Sequence, residues 1–346
     1  MDPSGLHETG SGGGLTRKFL VTGGTGFLGS HLVERLKAQA AEDPGSISIR
    51  VLCRRSSRWE GDPNIEVVYG DILDPEAVDR AVAGVAGIYH LAGVVARNPA
   101  NAAQLYDIHI QGTRNICRSA LAFGRPKIVI ASSSGTVAVS RHPIMHNEGS
   151  PYANDIVARW PYYLSKIYQE KLALSYYEYY NLPVVIVSPG LLLGPGDFRL
   201  SSTGDIKIFL DGYLRSLPSG GLNFVDVRDA ADAFIRAMDA GIPGRKYLVG
   251  GHNMSIKEFS QLVGRAAGVS APRLQLSEKW SRRGLKSVRR LYRSVGRAFP
   301  LEEVTLEMAY RFWYIDNRRA QSELGFKPRA AEETIRDTVE FLRRVR

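Results

Sequence analysis

Short, unbroken apolar runs alternate with helical patterns through the first half of the chain. Lys18 to Thr22, Ile47 to Cys53, Ile65 to Tyr69, Gly87 to Leu91, Lys127 to Ser132 and Pro183 to Ser188 read as strands rich in Val, Ile and Leu. Between them, Phe27 to Gln39 places Leu28, Leu32 and Leu36 on one helical face, and Pro75 to Ala83, Ala103 to Phe123 and Pro161 to Tyr180 are also helical. Strands apolar on both faces and separated by helices predict an α/β fold, a doubly wound parallel sheet covered on both sides. After Pro189 the pattern changes: glycine and proline crowd together (Gly190, Gly194, Pro195, Gly196) and the elements shorten. A smaller substrate lobe is expected there, beyond the carboxyl edge of the sheet, where open α/β sheets bind their ligands. The expected division is a disordered Gly/Ser-rich lead-in over 1–17, a main domain over 18–189 with 223–240, and the lobe over 190–222 and 241–346.

The first strand runs into Thr22-Gly23-Gly24-Thr25-Gly26-Phe27-Leu28-Gly29 and then a helix. Gly23 suits a tight turn, Gly26 the approach of backbone amides to a pyrophosphate, and Gly29 close packing of helix on strand. A strand before and a helix after make this a dinucleotide site of Rossmann type, with the pyrophosphate on the helix N-terminus. The second strand ends in Cys53-Arg54-Arg55-Ser56. An NAD site places a carboxylate there for the ribose 2′-hydroxyl, whereas arginines suit a 2′-phosphate. NADP is therefore the expected cofactor over NAD, with Arg54 first and Arg55 and Ser56 in support. The bland alternative is a solvated loop, with Asp71 or another acid doing the work.

Tyr162 and Lys166 lie four apart at the start of a helical pattern and so share a face. A free phenol titrates near 10, too high for acid–base work at neutral pH; a nearby ammonium and an oxidised nicotinamide would lower it. Ser132, Ser133 and Ser134 end the fifth strand, where one hydroxyl could hold a substrate oxygen. A carbonyl–alcohol interconversion by hydride transfer is the reaction these groups serve, on a small-molecule substrate and with no metal.

The chain has 346 residues and a net charge of +10. The run from Glu278 to Arg297 supplies +7 of it, eight Lys or Arg against one acid. Over Lys279 to Phe299, Leu285, Val288, Leu291, Tyr292 and Val295 recur at three- and four-residue spacings with arginines opposite. Such a helix either lies on an anionic membrane surface or is an ordinary lobe helix whose arginines are solvated or line an anionic pocket. No nucleic-acid module accompanies the charge. With no apolar run of spanning length, no signal peptide and only Cys53 and Cys117 in buried settings, a soluble cytoplasmic protein is expected, with peripheral membrane contact left open.

The glycine turn, the serine cluster and the Tyr/Lys pair, in this order, resemble the extended short-chain dehydrogenase/reductase family, also called the NAD-dependent epimerase/dehydratase family. Gly70-Asp71-Ile72, His90-Leu91-Ala92-Gly93, Ser188-Pro189-Gly190, Asn223 to Asp229 and Glu323 to Pro328 fit the same pattern. Ser132 to Thr136 and Pro218 to Asp229 look most like its dihydroflavonol-reductase and bacterial hopanoid-associated branch. The resemblance implies that Asp71 and Ile72 contact adenine, Leu91, Ala92 and Gly93 line the cofactor, and Pro189 and Gly190 face the nicotinamide. It also implies that Ser133 is catalytic in reductase-like members and Ser134 in sugar-nucleotide epimerases, and that the two long helices pair subunits into a homodimer. The alternatives are a nucleotide-sugar epimerase or dehydratase holding NAD tightly, and a non-catalytic dinucleotide sensor. One departure stands out: His109 occupies a position usually held by Asn, as a packing histidine or in a helix-bend or cofactor-side role.

Overall fold

Fully apolar strands are stable only between layers, and the chain supplies those layers from both sides. The computed structural model describes residues 16–55, 57–96 and 102–345. The first half comprises β1 (Arg17–Thr22), α1 (Phe27–Glu42), β2 (Ile47–Cys53), β3 (Ile65–Tyr69), α2 (Pro75–Val82) and β4 (Gly87–His90). Next come α3 (Ala102–Tyr106), a π turn (Asp107–Gln111), α4 (Gly112–Ala122), β5 (Lys127–Ala131), β6 (Met145–His146), α5 (Asn154–Val157), α6 (Pro161–Tyr180) and β7 (Val184–Pro189). The remainder holds β8 (Leu191–Leu193), α7 (Gly204–Leu210), β9 (Gly221–Asp226), α8 (Val227–Ala240), β10 (Lys246–Val249), β11 (His252–Ser255) and α9 (Ile256–Ala267). It closes with α10 (Glu278–Ser294), α11 (Glu303–Met308), β12 (Tyr314–Ile315), α12 (Arg318–Leu324) and α13 (Ala331–Arg344).

Seven strands form one parallel sheet in the order β3-β2-β1-β4-β5-β7-β10. The winding direction reverses between β1 and β4, so a crevice opens above their carboxyl ends, where such sheets bind ligands. One face packs Leu32, Val33 and Leu36 of α1 with Phe234 and Ala237 of α8; the other packs Val78 of α2, Ile116 of α4 and Ala173 of α6. A three-stranded sheet, β11-β9-β8, carries the smaller lobe with α7, α9 and α13. Arg329 ties the two parts together through Asp229 (2.8 Å) and Asp226 (3.6 Å), acids at the start of α8.

Four expectations need adjustment. β10, assigned to the lobe, is the edge strand of the main sheet, and α12 buries Ala320 and Leu324 in the main core. Four residues are too few to show a period, which is why Lys246–Val249 was not legible as a strand. β9, assigned from residue 223 to the main domain, pairs instead with β8 and β11 in the small sheet. The helix expected over Ala103 to Phe123 runs without a gap from Ala102 to Ala122, but its middle winds as a π turn instead of an α-helix. Arg17, counted with the lead-in, begins β1; the rest of that lead-in up to position 15 lies outside the described residues, as do Ser56 and the loop over 97–101.

Candidate active site

β1 delivers the glycine turn to the crevice. Gly23 has φ +71°, and a Cβ there would sit 2.6 Å from the carbonyl carbon of Leu91, so both conformation and contact demand glycine. A Cβ on Gly29 would collide with the Gly23 carbonyl oxygen, because α1 is pressed against the turn. Gly26 is the N-cap of α1 and supplies no side-chain cap, and the first turn holds no acid. The exposed Thr25 and the partly buried Gly26 and Phe27 thus sit beside unpaired helix amides that favour an anion, while Leu28 anchors the helix in the core. These residues fit a dinucleotide pyrophosphate.

The neighbouring strand ends complete that crevice. Arg54 and Arg55 leave β2 exposed, and the Arg54 guanidinium lies 4.0 Å from Asp71 Oδ2. Two acids by the loop after β2 are engaged elsewhere: Glu34 of α1 accepts from Trp59 Nε1 (3.1 Å) and Arg58 (3.2 Å), and Glu60 from the Tyr69 hydroxyl. Ile72 is buried and its carbonyl accepts from Asn115 (3.0 Å). Leu91, Ala92 and Gly93 follow β4, with Ala92 N–H donating to Thr22 Oγ1 (3.2 Å). Pro189 ends β7, and Gly190 packs closely against Asn223.

Pro161 starts α6 at its first turn, where a missing N–H costs nothing, and places Tyr162 and Lys166 over the end of β5. Lys166 Nζ donates to Ala131 O and to Gln169 Oε1, both at 2.8 Å. Burial holds its ammonium well below the usual range, at about 7, against the opposing pull of Glu170. Desolvation pushes the Tyr162 phenol up, offset in part by its hydrogen bond with Ser133. The three serines are not equivalent. All three line the cavity, but Ser132 is tied to Glu170 (2.5 Å), Ser133 draws the Tyr162 phenol down, and Ser134 is buried in a short 3-10 turn.

His109 sits inside the π turn, fully buried, its ring edge-on to Tyr162 at 5.8 Å. Val94 N–H donates to its Nε2 (3.3 Å), so Nδ1 carries the proton and donates to Ser165 Oγ (2.8 Å), which donates to Tyr162 O (2.8 Å). Burial and the nearby Lys166 hold this histidine neutral, its pKa lowered to about 2. It is a strut between the loop after β4 and the helix carrying the Tyr/Lys pair.

Several buried polar groups were not legible as site residues. Gln169 also donates to Thr113 (2.8 Å), which meets His90 Nε2 (2.9 Å), and His90 Nδ1 meets Thr22 Oγ1 (2.8 Å). This chain of contacts links Lys166 to the strand that carries the glycine turn. Glu170 is fully buried and pairs with Lys246 on β10 at 2.5 Å. The sequence signal was Gln169 and Glu170 on the same α6 face as Lys166 and Ala173, polar where packing calls for apolar.

From Tyr162 and Ser133 a cavity of about 660 Å³ runs into the lobe, past Gly190, Phe209 and Phe259 to Leu285 and Val288 of α10. Its lining is chiefly aliphatic and aromatic, and Asp205 and Arg215 are the only charged residues among the described ones that line it.

A family model described as the NAD dependent epimerase/dehydratase family matches residues 19–250. Sterol demethylase protein B of Methylococcus capsulatus is 29% identical over 337 residues, spanning 94% of this chain and 98% of that protein. A putative dihydroflavonol 4-reductase of Synechocystis sp. is 28% identical over 338 residues, 93% of this chain and 94% of that one. Among solved structures, gox2253 superposes with a TM-score of 0.79 at 29% identity, covering 95% of this chain and 98% of that chain. A dTDP-glucose 4,6-dehydratase of Streptomyces venezuelae with NAD and TYD bound superposes at 0.72 and 24% identity, covering 94% and 97%, a likeness of fold alone. Glycine turn, seven-stranded parallel sheet and family match agree: the chain belongs to the NAD-dependent epimerase/dehydratase family, the extended short-chain dehydrogenases/reductases.

Proposed function

We propose that this protein is an NADP-dependent oxidoreductase that interconverts a carbonyl and an alcohol on a bulky, apolar, lipid-like molecule. The observation that carries the substrate class is the cavity beside Tyr162. A nucleoside diphosphate sugar needs cations for its pyrophosphate, and among the described residues the cavity wall offers one, Arg215, with Asp205 as its one acid. A fused-ring or long-chain ketone matches the apolar wall. The steroid and flavonol names of the relatives point the same way.

Arg54 and Arg55, at the end of β2 with no carboxylate between them and the strand, support NADP over NAD. Gly23, Thr25, Gly26, Phe27, Leu28 and Gly29 would hold its pyrophosphate, Asp71 and Ile72 its adenine, and Leu91, Ala92, Gly93, Pro189 and Gly190 its nicotinamide half. When bound, the cofactor supplies or accepts the hydride. Tyr162 donates its phenolic proton to the carbonyl oxygen in reduction and takes it back in oxidation. Ser133 orients that oxygen, as the serine whose hydroxyl acts on the Tyr162 phenol, and Ser134, the alternative from the epimerase-like members, lines the same wall. Lys166 holds the ribose and stabilises the phenolate. A homodimer paired through the α3–α4 and α6 helices, and a cytoplasmic setting suited to two free, buried thiols, belong to the same reading.

The test is a titration with NADPH and NADH followed by a ketone screen on wild type and Tyr162→Phe. Tighter NADPH binding, with turnover falling roughly 10²–10⁴-fold in the variant while cofactor affinity holds, is the expected result. Stoichiometric trapped NAD in the purified protein would instead favour the epimerase or dehydratase reading. Cofactor binding without turnover across a broad carbonyl panel would favour a sensor.

A further inference from the structure

The basic helix foreseen over 279–299 is α10, which stops at Ser294 with Val295 as its C-cap, and it does two things at once. One side closes the cavity: Leu285 is buried with Leu306 and Tyr310, and Ser281, Val288 and Tyr292 face the cavity. It is fastened there by Arg282, paired with Glu278 (2.9 Å) and Glu307 (3.4 Å), and by Ser281 Oγ against the Tyr310 hydroxyl (2.6 Å). The adjoining side is open. Trp280, Gly284, Val288, Leu291 and Val295 follow one another at spacings of four, four, three and four, a single stripe along the helix. Trp280 is 60% exposed, and Leu291 and Val295 are each 65% exposed. Between these, Gly284 and Val288 are exposed and also line the cavity, and nothing lies within 4 Å of a Cβ built on Gly284. The apolar stripe is therefore the rim of the cavity mouth.

Beside the stripe lies a field of charge. Lys279, Arg283, Lys286, Arg289, Arg290, Arg293 and Arg297 have no carboxylate within ion-pair distance among the described residues, and of the eight cations of this run Arg282 alone is paired. The one acid, Glu278, is taken by Arg282 and Arg311 (3.3 Å). A structural helix would neutralise some of these charges locally, and a helix that binds anions by charge alone would not expose a tryptophan, a leucine and a valine in line. Apolar side chains that can enter an acyl boundary, flanked by unpaired cations, complement a surface of phosphate headgroups over hydrocarbon.

We propose that α10 docks this protein on an anionic phospholipid bilayer, with the cavity mouth against the membrane. Trp280, Leu291 and Val295 enter the interface, the unpaired arginines and lysines meet lipid phosphates, and an apolar substrate passes from the bilayer over the rim at Gly284 and Val288 to Tyr162. The delivery clause rests on the function proposed above; the docking clause does not.

The experiment is co-sedimentation of the full chain with vesicles of phosphatidylcholine alone and of phosphatidylcholine with phosphatidylglycerol, at about 0.15 M salt. Binding to the anionic vesicles and not to the neutral ones is expected. Trp280→Ser/Leu291→Ser, which leaves the charge intact, should lose about tenfold or more in vesicle binding. Arg283→Glu/Arg290→Glu/Arg293→Glu should lose about a hundredfold or more. None of these five residues lines the cavity, so both variants should keep the wild-type thermal midpoint and the wild-type turnover of a water-soluble ketone without vesicles. Absence of binding to anionic vesicles overturns the proposal. So does binding that survives Trp280→Ser/Leu291→Ser and is competed by duplex DNA, because charge alone would then explain it. A wild-type chain that turns over a ketone with NADPH but does not bind anionic vesicles sinks the docking and spares the oxidoreductase; a wild-type chain that binds them with no turnover on any ketone does the reverse.

Discussion

Burial pulls Tyr162 and Lys166 the same way, toward their neutral forms. The phenol is pushed up and the ammonium down to about 7, so near neutral pH the chain alone holds a protonated tyrosine beside a half-charged lysine. A protonated phenol is the state a reductase needs to deliver a proton. Lys166 should regain its full charge when the anionic cofactor arrives, which favours the ammonium. NADPH binding should then take up close to one proton at about pH 8 and almost none at about pH 6. Calorimetry in buffers of differing ionisation heat measures this, and Lys166→Met should abolish the difference; equal uptake in both proteins would remove Lys166 from the linkage. The serines separate at the same level of detail. Ser133→Ala should lower kcat roughly 10-fold or more with little change in NADPH affinity. Ser134→Ala should do so only if the epimerase-like assignment holds, since Ser133 is the serine whose hydroxyl draws the Tyr162 phenol down.

The π turn and its histidine work on α4 and α6 together. His109 and His90 are both buried and neutral, with pKa values lowered to about 2 and about 3 by desolvation. In the unfolded chain each titrates near 6.5, so the unfolded state binds more protons as pH falls below that value. The stability they confer is present above about pH 6.5 and is lost as pH falls toward about 3, at up to about 1.4 kcal/mol per pH unit for each histidine. Replacing His109 by Leu should flatten that acid slope, while costing about 1–3 kcal/mol at neutral pH because Val94 N–H loses its acceptor. Urea unfolding of both proteins at about pH 7 and about pH 5 decides it; an unchanged slope would mean that His109 is not held neutral.

Sheet, lobe and α10 together enclose the cavity, so substrate and cofactor affinities should be separable. Val288→Trp, at the partly exposed mouth, should raise KM for a bulky ketone about tenfold and leave NADPH affinity unchanged, as measured by steady-state kinetics beside a binding titration. A parallel fall in both would mean that the lobe and the crevice do not act as separate sites. No helix among the described residues is long and apolar enough to cross a membrane, so a surface contact through α10 is the form of membrane association proposed.

The parallel sheet, the glycine turn and the helical spacing of the Tyr/Lys pair were readable along the chain because each is local. Strand-and-helix periodicity needs only neighbouring residues, the turn needs glycine where a Cβ would collide, and the pair needs one helical turn. Arg54, Asp71 and the loops after β4 and β7 were readable as strand ends, and the sheet gathers those ends over one crevice. The rest depends on distant segments meeting. β10 has four residues and is defined by pairing with β7. The π turn carries a buried histidine held between Val94 and Ser165, which lie 15 and 56 positions from it in the chain. Ser133 is distinguished from its neighbours because Glu170 captures Ser132 from another element. The two readings of the basic helix could not be weighed from its amphipathic pattern, because the pattern does not say what each face meets. Folding puts one face over the cavity and leaves Trp280, Leu291 and the cations turned outward, and no spacing rule within the helix encodes which side the lobe will cover.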